Sequence, residues 1–229
     1  MSYFIYYIYK MKDWPFNIKE LSIDRKNENK RFFPLPLRCL IVGNSGSGKT
    51  TLLYHLIVEN WGIPFYHLYI FSKSLDQPMY QNLKENYAKL LSLENIEIAY
   101  FFDKCEDLIA VDECKNNSLV IFDDCVNIRE QGIIKDYFVR GRHKNISCIY
   151  LSQNFTKVDT QLIRENINFL ILFEQRPKYL EYIYKDYIGT DYTYKQFVEI
   201  CRDCWKKNYS FIAINTTKKL DDGRYIIKK

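Results

Sequence analysis

The spacing of apolar residues along the chain predicts a sheet of buried strands. Runs of five to seven almost wholly apolar residues recur, and longer polar stretches separate them. Runs of this length are typical of strands that are buried on both faces, as in a parallel sheet. The predicted strands are 37–42, 65–71, 96–101, 118–122, 146–151 and 169–173.

Helices are predicted between these strands and after the last of them. Met79, Leu83, Tyr87 and Leu90, for example, recur at helical spacing. The predicted helices are 51–58, 78–91, 106–113, 157–166, 178–187 and 193–204. Alternation of strand and helix is the pattern of an α/β fold, in which a mostly parallel central sheet is flanked by helices.

The last part of the chain predicts a different element. Two apolar runs, 210–214 and 225–227, flank Asp222-Gly223, a dipeptide that favours hairpin turns. We therefore expect a C-terminal β-hairpin.

A glycine-rich loop joins the first predicted strand to the first helix. It consists of Gly43, Asn44, Ser45, Gly46, Ser47, Gly48, Lys49 and Thr50, with Thr51 behind it, and it fits G-x-x-x-x-G-K-[S/T]. The glycines let backbone N–H groups wrap a phosphate chain, and the helix start adds the positive end of its dipole. In this pattern Lys49 reaches the β- and γ-phosphates and the Thr50 hydroxyl binds Mg²⁺. A chance turn is the alternative, and the strand–loop–helix context argues against it. We predict a P-loop NTPase whose nine loop residues bind ATP, with Mg²⁺.

Two adjacent acids end the strand 118–122. Behind a phosphate loop, Asp123 is expected to hold Mg²⁺, and Asp124 to orient or deprotonate the attacking water. Adjacent acids also occur in plain turns, but the phosphate loop favours the functional interpretation. Nucleotide kinases and most GTPases lack the second acid, so the pair indicates a motor, translocase, recombinase or unfoldase.

Two further candidates stand around the next strand. Gln153 follows it, and in a parallel sheet it shares an edge with the two acids, where an amide can sense the γ-phosphate. The alternative is a surface glutamine.

A basic loop precedes the same strand. It consists of Arg140-Gly141-Arg142-His143-Lys144. One of its arginines, for which we favour Arg142, is predicted to be a finger that completes a neighbouring subunit's site, and His143 to support the loop; the alternative is a solvated basic loop.

Length and charge set broad limits. The 229 residues suit one α/β domain with additions, which we divide into a lead-in segment, 1–35, and a P-loop ATPase domain, 36–229, with C-terminal helices and hairpin. The net charge of +5 permits contact with nucleic acid but does not require it. No apolar run approaches the ~20 residues of a membrane span, and the first residues lack the features of a signal peptide.

The cysteines favour an intracellular protein. There are seven, an odd number, and several stand in apolar runs: Cys39, Cys105, Cys114, Cys125, Cys148, Cys201 and Cys204. This pattern is typical of reduced, buried thiols. Cys201-x-x-Cys204 has the spacing of half a zinc site or a redox pair, but no second pair accompanies it.

Taken together, the motifs resemble those of the poxvirus-type genome-packaging ATPases. These belong to the FtsK/HerA superfamily and occur in large DNA viruses and virophages. The resemblance spans about residues 36–215 and rests on Gly43–Thr50 (Walker A), Ile121-Phe122-Asp123-Asp124 (Walker B), Gly141-Arg142-His143, Tyr150-Leu151-Ser152-Gln153 and Ile163-Arg164-Glu165-Asn166. Walker A is shared by many families, whereas Gly-Arg-His and Leu-Ser-Gln at this spacing after Asp-Asp are more specific.

The resemblance implies a homo-oligomeric ring, a pentamer or hexamer, that hydrolyses ATP to drive double-stranded DNA into a capsid. It assigns phosphate and Mg²⁺ binding to Lys49 and Thr50, metal support to Asp123, the catalytic acid to Asp124 and the sensor to Gln153. Arg142 matches the family's basic position. Many superfamily members have Glu where Asp124 stands, which leaves the position of the water open. The implied partners are capsid or inner-membrane virion proteins, and the implied location is the host cytoplasm, the viral factory or the virion.

Other functions remain open from the residues alone. A helicase or recombinase-like DNA-dependent ATPase shares every motif. A nucleotide kinase leaves Asp124 and Gln153 without a role, and a nucleotide switch conflicts with the intact acid pair. Sequence-independent DNA contacts are expected from lysines on pore loops, with Lys73 and the loop near Lys104 as candidates.

Overall fold

The computed structural model describes residues 33–59, 61–94, 97–104, 107–125, 131–159 and 163–228. The strands in this part of the chain are β1 (Arg38–Val42), β2 (His67–Ser72), β3 (Ala99–Phe102), β4 (Ser118–Asp123), β5 (Ser147–Ser152), β6 (Phe169–Leu172), β7 (Phe211–Asn215) and β8 (Tyr225–Lys228). The α-helices are α1 (Lys49–Val58), α2 (Pro78–Glu94), α3 (Gln131–Arg140), α4 (Pro177–Ile183) and α5 (Tyr194–Cys204). Short 3₁₀ helices cover Gly141–Lys144, Phe155–Lys157 and Leu220–Asp222, and a π-helix, Tyr184–Ile188, continues α4.

The strands form one mixed sheet in the order β3-β2-β4-β5-β1-β6-β7-β8. The first six of these positions pair in parallel, and β7 and β8 are antiparallel additions at one side. The predicted α/β fold with a mostly parallel sheet and a C-terminal hairpin is therefore confirmed. Because β5 lies between β1 and β4, the strand that leads into the phosphate loop does not pair with the strand that ends in the two acids.

Alternate residues of the strands feed two separate apolar cores. In β1, Leu40 and Val42 belong to one core, whereas Cys39 and Ile41 belong to the other. This division follows from the two-residue period of a strand, which sends successive side chains to opposite faces. Both cores exclude water almost completely, so the unbroken apolar runs of the sequence are explained by burial on both faces.

Helices cover the two faces unequally. Leu53 and Leu56 of α1 and Leu83 of α2 pack on the face that carries Ile41. Residues of α3, α4 and α5 pack on the opposite face, among them Tyr137 and Phe197. Two helices therefore stand on one side of the sheet and three on the other, within the described residues.

Helix α3 was not predicted, although its apolar pattern is present in the sequence. Ile134, Tyr137 and Phe138 are spaced by three and one residues and are buried together. The conformational freedom of Gly132 near the start of the helix weakens the local helical signal. Tertiary burial of these three side chains outweighs that local preference.

The helix predicted across 106–113 is wrong in its described part, 107–113. The chain turns there instead, and the amides of Glu113 and Cys114 both donate to the carbonyl of Ala110. Val111 and Cys114 are buried, while Asp112 is exposed. One turn is enough to place both apolar side chains in the core, and a longer helix is not needed.

The helix predicted across 157–166 does not form as a continuous element in the described residues. A 3₁₀ turn, Phe155–Lys157, begins with Asn154, whose side chain accepts a hydrogen bond from the amide of Thr156. Asparagine at such a position satisfies one of the exposed amides at the start of the turn. The region 160–162 lies outside the described residues.

Several other predictions fall partly outside the described chain. The lead-in segment is described from residue 33 onward, where Phe33 is buried against Phe169 with ring centroids 5.3 Å apart.

Six of the seven cysteines lie within the described residues, and all six are buried free thiols. Cys105 is outside the described residues. Cys201 and Cys204 lie in α5 with their thiols in the core. The described residues contain no cluster of three or more His, Cys, Asp or Glu side chains that could hold a metal ion, and no helix among them is long and apolar enough to span a bilayer.

Candidate nucleotide site

The loop Gly43–Gly48 lies at the edge of the sheet where the parallel strands β1, β4, β5 and β6 end. The amide of Gly43 donates to the carbonyl of Ser152, 3.2 Å away, and the amide of Phe173 donates to the carbonyl of Val42, 2.9 Å away. The strands on both sides of β1 thus hold the start of the loop in place.

Two glycines of the loop are required by its geometry. Gly48 has a φ of +97° and forms the N-cap of α1, a conformation that side chains with a Cβ rarely adopt. A Cβ on Gly43 would lie 2.5 Å from Ser47 Oγ and 2.7 Å from Phe173 Cβ, which is closer than real contacts. The sequence pattern therefore corresponds to a tight turn that brings backbone amides to the start of α1.

Lys49 is held across the loop. Its Nζ donates to the carbonyl of Gly43 at 2.7 Å and to that of Asn44 at 2.9 Å. Burial lowers the pKa of Lys49, and the charges of Asp123 and Asp124 partly oppose this shift. The same two acids were predicted to share a site with the lysine, and the structure brings all three together at one edge of the sheet.

Asp123 occupies a nearly closed position at the end of β4. Its carboxylate oxygen Oδ2 accepts hydrogen bonds from the hydroxyl of Tyr80, 2.7 Å away, and from the hydroxyl of Ser72, 3.2 Å away. Burial raises the pKa of Asp123, while the two hydroxyl donors and the charge of Lys49 act to lower it. Three elements therefore fix this carboxylate: β4, the end of β2 and the first turn of α2.

Tyr80 and Ser72 were not predicted as site residues. Ser72 is the last residue of β2, so the argument that placed Gln153 at the edge applies to it as well. Tyr80 gives no such signal, because a tyrosine in an amphipathic helix is ordinarily a packing residue. Only the fold brings it to a carboxylate 43 positions away.

Asp124 differs sharply from its neighbour. Its backbone has a φ of +55°, its amide lies 3.3 Å from the carbonyl of Leu151, to which it donates, and its side chain is exposed. Aspartate tolerates this left-handed conformation better than most residues. Gln153 is also exposed, directly after β5. As predicted, the acid and the amide stand at the same edge of the sheet.

A cavity of about 740 Å³ connects these groups. Its wall includes Ser45 to Leu52 of the loop and α1, both acids, and Gln153. The opposite wall was not predicted from the sequence. It is formed by Phe173, Tyr209, Phe211 and Lys228, from the end of β6 and the C-terminal hairpin region.

The two arginines lie elsewhere. Arg142 is exposed in the 3₁₀ helix that precedes β5, at the amino end of that strand, whereas the cavity is at its carboxyl end. A six-residue strand is about 20 Å long, so Arg142 stands far from the cavity of its own chain. Arg140 Nη2 is 2.8 Å from Asp112 Oδ2 and pairs with it. Lys144 Nζ donates to the carbonyls of Val111 and Asp112, which ties the 3₁₀ helix to the neighbouring turn.

The sheet order and the phosphate loop define the class: this chain has the fold of a P-loop NTPase. The model of one family, described as Poxvirus A32 protein, matches residues 24–226. The chain belongs to that family, which confirms the resemblance found in the sequence motifs. A comparison with curated protein sequences found no match.

Solved structures agree on the fold. The chain is similar to B204, the DNA-packaging ATPase from Sulfolobus turreted icosahedral virus, with a TM-score of 0.59, 17% identity and coverage of 85% of this chain and 98% of B204. It is also similar to the genome packaging NTPase B204 from Sulfolobus turreted icosahedral virus 2 in complex with sulfate, with a TM-score of 0.58, 17% identity and coverage of 85% and 96%. The complex of that protein with AMPPCP gives a TM-score of 0.56 at 14% identity, covering 85% and 98%.

Proposed function

We propose that this chain is an ATP-hydrolysing motor that moves double-stranded DNA into a viral capsid. The observation that carries the proposal is the convergence of Lys49, Asp123, Asp124 and Gln153 on one cavity, in a chain of the poxvirus A32 protein family. The names of the similar structures, a DNA-packaging ATPase and a genome packaging NTPase, support the same function.

The phosphate-binding part of the proposal rests on the loop. The turn at Gly48 brings the N-terminal end of α1, with the positive end of its dipole, to the cavity, and Lys49 adds its charge. When the β- and γ-phosphates enter, their oxygens replace the loop carbonyls as acceptors for Lys49 Nζ. ATP is the proposed nucleotide.

The residues present fit a magnesium ion. The Thr50 hydroxyl and the Asp123 carboxylate both line the cavity, and such hard oxygen ligands are those that Mg²⁺ prefers. Mg²⁺ neutralises charge on the β- and γ-phosphates when it is bound. Tyr80 and Ser72 hold the Asp123 carboxylate by one oxygen, Oδ2, and so orient it.

Asp124 and Gln153 are proposed to act on the attacking water. Asp124 directly follows β4 and lines the cavity with an exposed side chain, so its carboxylate is placed to accept a proton from water beside the γ-phosphate. Gln153 carries an amide that can donate to the γ-phosphate and accept from the same water. Loss of the γ-phosphate would release that contact, which makes Gln153 the proposed sensor.

Arg142 is proposed to serve a neighbouring subunit. Because it stands at the amino edge of the sheet, about 20 Å from its own cavity, it reaches a γ-phosphate only if another copy is placed against that edge. A ring, a pentamer or hexamer, repeats this contact at every junction. The pairing of Arg140 with Asp112 supports Arg142 rather than Arg140 as the finger.

Membership of the family supports the proposed cargo and partners. A net charge of +5 is compatible with a DNA backbone, and Lys73 and Lys104 are exposed just beyond β2 and β3. We propose that they contact phosphates in the pore. Capsid or inner-membrane virion proteins are the proposed docking partners, in the host cytoplasm, the viral factory or the virion.

The decisive experiment is steady-state ATP hydrolysis by purified protein with and without long double-stranded DNA. DNA should stimulate turnover, and Lys49→Ala should abolish it. The matched control is Lys185→Ala, which should behave as wild type. It removes an exposed lysine of the π-helix that pairs with Glu181 of α4. A confirmed oligomer that hydrolyses ATP but ignores DNA at all salt concentrations would contradict the proposal.

A second assay separates packaging from DNA unwinding. Packaging into empty capsids protects DNA from added nuclease and requires ATP, whereas a helicase separates the strands of a short duplex. The proposal expects protection without strand separation. Strand separation without capsid-dependent protection would instead identify a helicase-like ATPase.

A further inference from the structure

The sheet order divides the surroundings of the phosphate loop into two sides. On one side of β1 lie β5 and β4, which carry Gln153 and the two acids. On the other side lie β6, β7 and β8. Because β7 runs antiparallel to β6, its first residue is at the same edge as the loop, and so is the last part of β8. With the γ-phosphate at the acid side, the other side of the cavity is available to the rest of the nucleotide.

That other side presents an aromatic surface. Phe173 follows β6 and Phe211 begins β7, and their ring centroids are 5.4 Å apart. Lys228 Nζ lies 5.6 Å from the centroid of the Phe211 ring. Phe173 and Phe211 are almost fully buried, so they form the floor of this side of the cavity.

Tyr209 stands above this floor and is 51% exposed. Its ring borders the phosphate loop directly, because a Cβ placed on Gly48 would be 3.3 Å from Tyr209 Cδ1. Tyr209 is therefore half exposed and borders the predicted phosphate loop at the same time. Large exposed rings beside a nucleotide loop are suited to stack on a base.

The backbone of Tyr209 supports a specific role. Its φ is +62°, in the left-handed region that costs energy for a residue with a bulky side chain. The adjacent Ser210 fixes the turn, because its buried hydroxyl is 2.7 Å from the carbonyl of Cys204 and 2.6 Å from that of Lys207. The loop between α5 and β7 thus holds Tyr209 in a backbone conformation that tyrosine rarely adopts.

We propose that Tyr209 is the platform on which the base of the nucleotide stacks. The inference rests on the proposed nucleotide hydrolysis and adds the base subsite to it. The ligand class is a nucleoside triphosphate. Stacking uses the face of the base, and every base has such a face, so the platform recognises the presence of a base and not its hydrogen-bonding edge. GTP is therefore expected to bind nearly as well as ATP.

The test compares ATP, GTP and inorganic triphosphate as substrates. The variant is Tyr209→Asn, because asparagine accepts the left-handed backbone and so removes the ring without disturbing the turn. The KM for ATP and for GTP should rise about tenfold, as expected when a base loses the ring on which it stacks. The kcat should stay within about twofold of the wild-type value. The KM for inorganic triphosphate, which has no base, should not change.

Two controls sharpen the result. Tyr209→Phe keeps the ring and should retain the wild-type KM. Tyr182→Ala removes a tyrosine that is 52% exposed on α4, away from the cavity, and should have no effect. Equal losses for ATP and triphosphate would show that the ring only supports the loop, and an unchanged KM for ATP would show that the base lies elsewhere; either result overturns the proposal.

A binding measurement keeps this inference separate from the proposed function. The affinities of ATP and triphosphate for the Asp124→Asn protein, with and without Tyr209→Asn, are measured by calorimetry. Tyr209→Asn should weaken the binding of ATP and leave the binding of triphosphate unchanged. This holds whether or not the wild type hydrolyses ATP in the presence of DNA. If the wild type lacks hydrolysis, the motor proposal fails, and the affinity ratio still decides the role of Tyr209.

Discussion

The two edges of the sheet organise their charged side chains in opposite ways. At the carboxyl edge, Lys49 and Asp123 are largely withdrawn from water and hydrogen-bonded to fixed partners around one cavity. At the amino edge of β5, Arg142 is exposed, and the 3₁₀ helix that carries it is tied down through Lys144. The groups of the carboxyl edge hold one another within the chain, whereas the amino edge presents an exposed arginine outward. This difference is the one we expect if Arg142 completes the site of a neighbouring copy, as proposed above.

Removing Arg142 tests this comparison most severely. Arg142→Ala should lower kcat by about 10³-fold or more, because a finger stabilises charge only in the transition state. Nucleotide affinity of the isolated subunit should not change. Steady-state hydrolysis at a concentration where the oligomer is confirmed measures the effect.

The control for this variant is Arg140→Ala, which removes an exposed pair with Asp112 and should change kcat less than about twofold. Mixing Arg142→Ala with Asp124→Asn protein should restore part of the activity, because some junctions then combine an intact acid with an intact arginine. Full activity of Arg142→Ala in a confirmed oligomer would show that the amino edge takes no part in catalysis.

Asp124→Asn removes the proposed general base from the carboxyl edge. It should lower kcat by about 10³-fold, within the range expected for loss of such a base. Asparagine suits the left-handed backbone of this position, so the fold and the nucleotide affinity should be retained. Hydrolysis and equilibrium binding are measured on the same protein. Retention of more than about a tenth of the activity would mean that another group activates the water.

Tyr80→Phe sharpens the comparison by removing one fixed partner of the carboxyl edge. The magnesium concentration for half-maximal hydrolysis should rise about tenfold, since a hydrogen bond to a charged group is worth about 1.5–3 kcal/mol. Tyr137→Phe is the control, because its buried hydroxyl donates to the carbonyl of Ile109 at 2.9 Å, away from the acids. Equal magnesium dependence in the two variants would leave Tyr80 with a packing role alone.

The smallest expected effect concerns stability. Burial raises the pKa of Asp123, so at neutral pH its charged form destabilises the fold. Asp123→Asn keeps an acceptor for Tyr80 and removes that charge. Without magnesium at pH 7, its melting temperature should be higher by about 2–4 °C, which corresponds to about 1 kcal/mol.

The pH dependence of that gain follows from linkage. The native state binds the proton of Asp123 more tightly than the unfolded state, so the stability of the wild type falls as pH rises from about 4 through the raised pKa. The gain of Asp123→Asn should therefore vanish towards pH 4. A melting temperature for the variant below that of the wild type at pH 7 would show that hydrogen bonding outweighs burial at this carboxylate.

The phosphate loop and the acids could be predicted because their geometry is local. A positive φ requires glycine at Gly48. Asp123 ends one buried parallel strand, and Gln153 directly follows another. Strand ends are visible as the last residues of apolar runs, and parallel strands share an edge. The convergence of these residues therefore follows from a pattern that the sequence displays.

The supporting residues could not be predicted because their contacts are not local. Ser72 and Tyr80 meet Asp123 across 51 and 43 positions. Tyr209 meets the loop because β7 is added antiparallel beside β6, which no periodicity specifies. The error at 106–113 has the same origin, since burial of Val111 and Cys114 against distant residues decided that segment.

The position of the C-terminal hairpin has a practical consequence for handling the protein. Lys228 pairs with Phe211 at the end of the sheet, and both residues line the cavity. A fluorophore attached within this hairpin would therefore crowd the mouth of the cavity and would mimic a loss of substrate affinity. Fluorophores and surface-attachment handles are better placed on an exposed side chain away from the cavity, such as that of Tyr182.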